Sequence, residues 1–376
     1  MIIAQHHGME AGTPLAWDKI RRVLLIRLRS IGDTVLFTPV LEVLKRWRPE
    51  LEIDVLIEPL SAPVLYGNPH ISQLFVIPRS RPTPWRTAER AFIIFAMRRR
   101  RYDLAVDLRG YKTSAVTMRQ VGARQSVSFD ECPLSRLATL RAPSPGDLWG
   151  RYCVHNVEQQ LAPLKWLGVP VEEIPPPRVF VDQQADERVA RRLAELGMDG
   201  RFALLHVGAS NRWKLWEPAR FARVADDLWE RHGLPSIVLA SPKEERIAAE
   251  VQGAATHRPH TCTELTLAET MALIARATLL LGNDSGPAHI AGAVGTPAAA
   301  VYGPADPRIW GLRSHAPHRI ITADIPEEEQ CPRCLFDDCR VVPRCMDRVT
   351  VEQVTDVLDE LLCEIATAGK EGAFTK

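Results

Sequence analysis

The sequence VLLIRLRSIGDTVLFTPVLEVL, residues 23–44, decides the fold class. Val23–Ile26 is a run of aliphatic residues of strand length, and it leads directly into a turn that contains Gly32. Apolar residues then recur at helical spacing until Pro49, which cannot continue a helix. A strand, a tight turn and a helix in this order form the repeating unit of a parallel sheet covered by helices.

The same unit recurs along the rest of the chain. Further strands are predicted at 53–57, 74–77, 104–108, 202–207, 236–240, 278–282 and 297–302. Three consecutive prolines, Pro175–Pro177, interrupt the pattern and indicate an extended connector. We therefore expect an α/β protein with two successive doubly wound parallel-sheet domains and a cleft between them. The predicted boundaries are an N-terminal extension that we expect to be disordered (1–19), a first domain (20–178), a second domain (179–349), and a C-terminal helix and tail (350–376).

Composition excludes several classes of protein. The chain has 376 residues, and 47 Lys and Arg against 46 Asp and Glu give a formal charge of +1, so a nucleic-acid partner is not expected. We find no apolar run of membrane-spanning length. The first residues lack the basic segment and apolar core of a signal peptide, which predicts a cytoplasmic location.

Three strand-end loops carry candidate functional residues, because ligands of open parallel sheets bind beyond the carboxyl ends of the strands. The first loop, 29–34, places Asp33 in the first turn of the following helix. One interpretation is a helix-capping carboxylate. The other is a general base that takes a proton from an incoming hydroxyl.

The second loop runs from His206 to Pro218 and combines small residues with a cation. Gly208, Ala209 and Ser210 would let backbone N–H groups approach a ligand, and Lys214 adds a mobile positive charge. This combination suits phosphate oxygens. The alternative is a solvated loop with tryptophans packed on the surface.

The third loop delivers Asp284, Ser285 and Gly286 to the start of a helix rich in small residues. The N-terminus of such a helix offers free N–H donors and a positive dipole, which suits a diphosphate. His289 lies about one turn further on and could reach the same anion. A structural histidine is the alternative.

Familiar nucleotide fingerprints are missing. The sequence contains neither Gly-x-Gly-x-x-Gly after a strand nor a P-loop, and it has no Asp-x-Asp pair to carry a divalent metal. If a diphosphate leaves in the reaction, Lys214 and the helix N-terminus must neutralise it.

Three motifs together resemble the bacterial ADP-heptose:lipopolysaccharide heptosyltransferases of glycosyltransferase family 9. They are the segments 30–39 (SIGDTVLFTP), 214–218 (KLWEP) and 283–289 (NDSGPAH), and their order and separation also match. The resemblance extends from about residue 20 to about residue 365. It implies a GT-B fold of two Rossmann-like domains facing a central cleft, the first binding the acceptor and the second the nucleotide sugar, with the C-terminal helix packing back on the first domain.

The resemblance also implies an activity, an inverting and metal-independent transfer of heptose from ADP-heptose to the lipopolysaccharide inner core. Asp33 matches the general base, and Lys214 meets the charge that develops on the leaving diphosphate. The implied donor-binding residues are Ser210, Lys214, Asp284, Ser285, Gly286 and His289. Glu244 is our choice for the ribose, although Glu245 is a close alternative. No cofactor is expected for catalysis.

The acceptor side is less diagnostic. Arg29, Arg109 and Lys112 lie at or after strand ends and are predicted to bind acidic core sugars or phosphates. The acceptor implied by the family is a lipid-anchored lipopolysaccharide precursor, which predicts a peripheral location on the cytoplasmic face of the inner membrane. The basic and apolar segment 81–101 suits an anionic membrane surface. The plainer interpretation of that segment, which we prefer, is an amphipathic helix with cations at its C-terminal end.

Four cysteines, Cys331, Cys334, Cys339 and Cys345, crowd one short stretch. The first pair has the spacing of a zinc ligand pair, whereas the second pair is irregular. A structural Zn or Fe site is one interpretation, and reduced thiols or disulfides formed on isolation are the others.

Rival functions share parts of this pattern. The same fold and donor chemistry could serve a protein hydroxyl or another glycan as acceptor. A two-domain NAD-dependent oxidoreductase shares the sheet architecture but lacks its glycine fingerprint here. A non-catalytic sugar-nucleotide binder would retain the donor site without the base.

Overall fold

The computed structural model describes residues 15–78, 83–198, 200–326 and 341–373. Its strands, in chain order, are β1 Arg22–Ile26, β2 Glu52–Ile57, β3 Gln73–Val76, β4 Leu104–Asp107, β5 Gln125–Phe129, β6 Leu140–Ala142, β7 Ala203–His206, β8 Ser236–Leu239, β9 His260–Cys262, β10 Leu279–Asn283, β11 Ala298–Tyr302 and β12 His318–Thr322. Its helices are α1 Ile31–Val35, α2 Thr38–Trp47, α3 Pro84–Arg100, α4 Lys112–Val121, α5 Pro145–Trp149, α6 Asn156–Trp166, α7 Gln183–Glu195, α8 Pro218–His232, α9 Glu245–Ala254, α10 Leu267–Arg276, α11 Gly286–Val294, α12 Pro307–Trp310, α13 Cys345–Arg348 and α14 Val351–Ala373.

The chain forms two compact units that divide between Pro175 and Pro176, inside the proline run that predicted a connector. Two short segments that precede this division, 31–36 and 63–67, group with the second unit. The helix α1, which carries Asp33, therefore belongs to the second unit although the chain enters it from β1.

The first unit contains a six-stranded parallel sheet in the order β3-β2-β1-β4-β5-β6. The central strands are apolar without alternation because helices cover both faces of such a sheet. All four residues of β4 are buried, whereas the edge strand β3 has exposed and half-buried positions. One side of its core joins Leu24 and Ile26 of β1 to Met97 of α3 and Met118 of α4.

The second unit repeats this topology. Its six parallel strands follow the order β12-β11-β10-β7-β8-β9. Read from β9 to β12, this is the third, second, first, fourth, fifth and sixth strand of the unit, the same order as in the first sheet. In each sheet the first and fourth strands of the unit lie side by side, β1 next to β4 and β7 next to β10. The strand order reverses there, and the carboxyl ends of these strands are where ligands bind in open α/β sheets. The predicted fold class, two doubly wound parallel sheets, is confirmed.

The C-terminal helix α14 packs within the second unit. Val354, Leu358 and Leu361 are buried in the core that also contains Phe221 and Val224 of α8. The apolar stripe of α14 completes the core beside β12 and α8. The expectation that this helix also packs back on the first domain stays a prediction.

Part of the predicted N-terminal extension is ordered. Trp17 is buried, donates its indole N–H to the carbonyl oxygen of Leu167 at 2.8 Å and packs edge-on against Trp47 at 4.9 Å between ring centroids. Burial of a tryptophan with a satisfied N–H anchors the chain there, so the first domain begins before residue 20. Among the described residues, no helix is both long enough and apolar enough to cross a membrane.

Candidate active site

A buried ion pair joins the second and third predicted loops. Lys214 Nζ lies 2.5 Å from Asp284 Oδ2, and the two side chains are 17% and 4% exposed. The lysine also lies over the Trp213 ring, 5.2 Å from its centroid. A lysine held by one carboxylate keeps further N–H donors for another anion, because an ammonium group has three. The structure therefore brings two predicted donor residues together.

The amide side chain of Asn283 holds this pair in place. Its Nδ2 donates to the carbonyl oxygens of Val207 and Gly208 at 3.1 and 3.2 Å, and its Oδ1 accepts from the backbone N–H of Trp216 at 3.0 Å. Trp216 is itself buried, and its indole N–H donates to the Val349 carbonyl oxygen at 3.0 Å. The loop after β7 is thus tied to the end of β10 on both sides of Lys214.

A buried histidine supports the third loop. His206, the last residue of β7, has its Nδ1 3.1 Å from the Ser285 hydroxyl. Burial lowers the pKa of His206, and the nearby Glu244 carboxylate opposes that shift only in part. The ring is therefore neutral near pH 7, and it positions the Ser285 side chain at the start of α11 by hydrogen bonding rather than by charge.

Glu244 lies against the second loop. A side chain on Gly208 would place its Cβ 2.3 Å from both Glu244 carboxylate oxygens, so the carboxylate packs on the bare backbone of that glycine. Its Oε2 accepts from the N–H and the hydroxyl of Ser241 at 3.0 and 2.6 Å. Glu245 begins α9 and is exposed, and the choice of Glu244 for the ribose stays a prediction.

Ser210 is exposed, and its hydroxyl accepts a hydrogen bond from Asn211 at 3.3 Å. It lies on the same loop as Lys214. Among the hydrogen bonds of the described residues, none joins Ser210 to Lys214 or to Asp284. Its role in donor binding stays a prediction.

Two glycines let α1 approach the N-terminus of α11. A Cβ on Gly32 would lie 2.9 Å from the His289 ring, and one on Gly286 would lie 3.0 Å from Ile31 and 3.5 Å from the Gly32 nitrogen. Side chains at these two positions would force the helices apart. The approach brings the Asp33 carboxylate close enough to interact electrostatically with His289. The His289 ring also interacts electrostatically with Asp284 and Lys214.

His289 is buried, and burial lowers its pKa although both carboxylates oppose the shift. Its Nδ1 has no hydrogen-bond partner among the described residues. The helix α11 begins at Gly286, directly after Asp284 and Ser285, and a helix N-terminus carries free N–H donors and a partial positive charge. The His289 ring, the Lys214–Asp284 ion pair and the Asp33 carboxylate thus meet at the N-terminus of α11, and this group is the candidate anion site.

The predicted acceptor residues lie at the ends of β1 and β4 in the first unit. Arg29 has a φ of 67°, and its guanidinium lies 4.3 Å from the centroid of the Tyr111 ring. Arg109 and Lys112 are exposed. A non-glycine residue in the left-handed region is strained by about 1–3 kcal/mol, a cost that is concentrated at functional sites.

Asp107 shapes the loop that carries these two cations. Its carboxylate accepts from the backbone N–H groups of Arg109 and Gly110 at 3.2 and 2.9 Å and from the Ser114 hydroxyl at 2.6 Å. Burial raises the pKa of Asp107, and these hydrogen bonds oppose the shift. A Cβ on Gly110, whose φ is 75°, would overlap the Cys132 sulfur, so the turn requires glycine.

A groove of about 910 Å³ runs between α3 and α4 in the first unit. It begins at Arg29 and Glu58, beyond the ends of β1 and β2, and extends to Arg90, Arg98 and Phe95 of α3. Three cations against one carboxylate make its lining suitable for an anionic molecule with apolar parts.

The cysteine cluster is described only at Cys345, which is half-buried and lies near Gly303. Cys331, Cys334 and Cys339 fall outside the described residues. Over the part of the chain that the structure describes, no group of three or more His, Cys, Asp or Glu side chains could hold a metal ion. The cluster remains a prediction.

Sequence reasoning missed the residues that hold the candidate loops in place, which are His206, Trp216 and Asn283 in the second unit and Asp107 in the first. For Asp107, His206 and Asn283 the available signal was their position, because a polar residue at the last position of a buried strand must find buried partners. Trp216 lies in a loop and gave no such signal.

The family assignment comes from comparison with known proteins. The family described as glycosyltransferase family 9 (heptosyltransferase) matches residues 91–337. A lipopolysaccharide heptosyltransferase 3 from Escherichia coli is 30% identical over 288 residues, which cover 75% of this chain and 84% of that protein.

Solved structures show the same fold. A glycosyl transferase of family 9 from Veillonella parvula has a TM-score of 0.80 at 22% identity and covers 94% of this chain and 99% of its own. The E. coli heptosyltransferase WaaC with ADP has a TM-score of 0.69 at 18% identity over 90% and 99% of the two chains.

The fold and the family match thus define a glycosyltransferase of the GT-B class. More narrowly, the chain belongs to glycosyltransferase family 9, the heptosyltransferases. This membership confirms the resemblance found in the three motifs and decides against the NAD-dependent oxidoreductase.

Proposed function

We propose that this enzyme transfers a heptose from ADP-heptose to a hydroxyl of the lipopolysaccharide inner core, with inversion at the anomeric carbon and without a metal ion. The observation that carries the proposal is the grouping of Asp33, Lys214, Asp284 and His289 at the N-terminus of α11. The names of its relatives support the sugar and the acceptor, and the WaaC structure with ADP supports the nucleotide.

In the proposed reaction the donor diphosphate occupies the anion site. Lys214, held by Asp284, and the first-turn N–H groups of α11 bind its oxygens, and Glu244 accepts hydrogen bonds from the ribose hydroxyls. The neutral His206 keeps Ser285 in place beneath them. These donors are fixed before the reaction, so they stabilise the charge of the leaving ADP without having to reorganise.

Asp33 acts as the general base. It takes the proton of the acceptor hydroxyl while that oxygen attacks the anomeric carbon from the face opposite ADP. The bond between the anomeric carbon and the diphosphate oxygen breaks as the new glycosidic bond forms. One displacement inverts the configuration, and no second catalytic carboxylate is needed.

Arg29, Arg109 and Lys112 bind acidic groups of the acceptor in this proposal. The acceptor is a lipid-anchored lipopolysaccharide precursor, and the enzyme acts at the cytoplasmic face of the inner membrane. The strained backbone at Arg29 and the carboxylate clamp of Asp107 support an ordered, ligand-binding role for these two loops.

The test is ADP release from ADP-heptose with a purified heptose-deficient lipopolysaccharide acceptor, in the presence of EDTA, comparing wild type with Asp33→Asn. We expect turnover to persist in EDTA, and kcat to fall by about 10²–10⁴ in the variant while ADP affinity is kept. Wild-type kcat in Asp33→Asn would refute the base. Turnover with a protein or another glycan alone would keep the donor chemistry and change the acceptor.

A further inference from the structure

A second cavity, of about 350 Å³, lies in the second unit. It is lined by Trp229 of α8, by Ser236 at the start of β8 and by the loop 257–260 that leads into β9. We call it the amino-edge pocket, because both strands begin there. Lys214 and Glu244 follow the carboxyl ends of β7 and β8, so the length of β8, about 10 Å, separates them from the amino-edge pocket. The pocket is therefore not part of the candidate donor site.

One wall of the amino-edge pocket is aromatic. The Trp229 ring, near the C-terminal end of α8, is 45% exposed. The His257 imidazole lies beside it, with 5.8 Å between the ring centroids and 37° between the ring planes. A planar ring that enters the pocket can pack on the uncovered part of the indole in the offset or edge-on arrangements that aromatic pairs prefer.

The rim of the pocket is basic. Arg258 and His260 are exposed, and neither side chain forms a hydrogen bond or an ion pair with the described residues. A nearby carboxylate, that of Glu230, is already engaged, because it lies 3.4 Å from His257 Nε2. Of the described residues that line the pocket, none is acidic. The lining therefore favours a ligand with a negative charge.

The loop that carries these cations is held in place by the rest of the unit. The Asp226 carboxylate accepts from the backbone N–H groups of residues 256–257 at 3.0 and 2.8 Å, and Gln252 Nε2 donates to the Pro259 carbonyl oxygen at 2.9 Å. Between these contacts Arg258 has a φ of 20°, a strained value for a residue other than glycine. A loop that is ordered beforehand loses less conformational entropy when a ligand binds.

The floor of the pocket contains an unsatisfied polar group. Ser236 and Met198 are 6% and 7% exposed, so they lie deeper than the rim. The Ser236 hydroxyl is buried and has no hydrogen-bond partner among the described residues. A buried hydroxyl without a partner is costly, and a hydroxyl can both donate and accept. A polar atom of a ligand at the floor of the pocket would remove that cost.

Size and chemistry together select one kind of ligand. A volume of about 350 Å³ is near the lower end of the range for ligand pockets, about 300–1,000 Å³, and it suits one small ring system with a charged substituent. We propose that the amino-edge pocket binds a small aromatic anion, with its ring on Trp229 and His257 and its phosphate or carboxylate on Arg258 and His260. This binding does not depend on the proposed function.

The test is titration calorimetry of the full chain with phenyl phosphate, with benzoate, and with cyclohexyl phosphate, whose ring has no π face. ADP is present at saturation to occupy the proposed diphosphate site, and Lys214→Met is titrated in parallel without ADP. The pocket variants are Trp229→Leu and Arg258→Gln. Their matched controls are Trp85→Leu, at a position 81% exposed in the first unit, and Arg246→Gln on the exposed side of α9.

We expect wild type, both controls and Lys214→Met to bind phenyl phosphate with a Kd of about 1 mM or lower. Cyclohexyl phosphate should bind about 2- to 12-fold more weakly, which is what an aromatic pair contributes beyond its buried area. Trp229→Leu should weaken the binding of phenyl phosphate by a similar factor. Arg258→Gln should weaken it by about tenfold, the lower end for a charge-assisted hydrogen bond, because the site is exposed.

Two further readings complete the expected result. Both pocket variants should bind ADP as wild type does, which shows that the second unit is folded. The tighter of phenyl phosphate and benzoate identifies the charged group, phosphate or carboxylate, that the pocket prefers.

Absence of phenyl phosphate binding by wild type, or equal binding by wild type and either pocket variant, would overturn the proposal. Equal affinities for phenyl phosphate and cyclohexyl phosphate would also overturn it, because the ring would then not be recognised as aromatic. Loss of binding in Lys214→Met would place the ligand at the diphosphate site instead. If wild type does not bind ADP, the proposed donor site fails, whereas the titration of Lys214→Met still measures the amino-edge pocket.

Discussion

Replacing Lys214 by Met removes the cation of the proposed diphosphate site and, at the same time, leaves Asp284 without its partner. Asp284 is 4% exposed and lies 2.5 Å from the ammonium nitrogen. Breaking a buried pair by removing one member costs about 3–5 kcal/mol. Because Lys214 is 17% exposed, we expect the lower end, about 3 kcal/mol. In a unit of about 200 residues this lowers the melting temperature by about 6–12 °C.

A second substitution separates stability from binding. In Lys214→Met with Asp284→Asn the buried charge is gone, so most of the lost stability should return. ADP affinity should remain about 10- to 150-fold below wild type, which corresponds to the loss of one charge-assisted hydrogen bond of about 1.5–3 kcal/mol.

The measurements are thermal unfolding and ADP titration calorimetry on wild type, both variants, and Lys214→Arg as the charge-conserving control. Wild-type ADP affinity in the double variant would show that Lys214 does not bind the diphosphate. Failure of Asp284→Asn to restore stability would show that the ion pair is not what the lysine contributes to the fold.

Two further outcomes follow from the geometry of the second unit. Gly208→Ala places a methyl group against the Glu244 carboxylate, which must swing away, so ADP affinity should fall several-fold in calorimetry; Gly253→Ala, where a Cβ meets nothing within 4 Å, is the control and should bind ADP as wild type does. Burial lowers the pKa of His206 to about 4 and also lowers that of His289, so below about pH 6.5 these histidines bind more protons in the unfolded chain than in the folded one. As the pH falls from about 6.5 towards 4, the His206 contribution should lower the free energy of unfolding by up to about 1.4 kcal/mol per pH unit, and His206→Gln should reduce this slope in urea titrations at pH 7, 6 and 5. An unchanged slope would mean that His206 is charged in the folded protein.

The strand-end loops could be predicted from sequence because they follow local rules. An apolar run that ends in small and polar residues before a helix indicates the carboxyl end of a parallel strand, where ligands bind. Asp33, Lys214 and Asp284 all lie in loops or helix starts that follow such strands. The closeness of α1 to α11 could not be predicted in this way. It depends on Gly32 and Gly286, which are far apart in the chain. Nothing in the local sequence around either glycine indicates that the two would lie against each other.

The same limit applies to α14. Its apolar stripe was visible at Val354, Leu358 and Leu361, but periodicity indicates that a face is buried and not what buries it. The sequence also did not reveal that the two sheets share one strand order. Many different aliphatic sequences can form a fully buried parallel strand, so the two halves need not resemble each other in sequence.

The assignment of α1 to the second unit bears on how such an enzyme can diversify. The chain segment that carries Asp33 leaves the sheet that holds the proposed acceptor loops, yet it packs with the residues of the proposed donor site. In the proposed function, substitutions around Arg29, Arg109 or the groove beside α3 change acceptor binding and leave the packing of Asp33 against the donor residues intact. On that proposal acceptor choice and catalytic geometry are separately mutable, so a new acceptor does not require a change at the base.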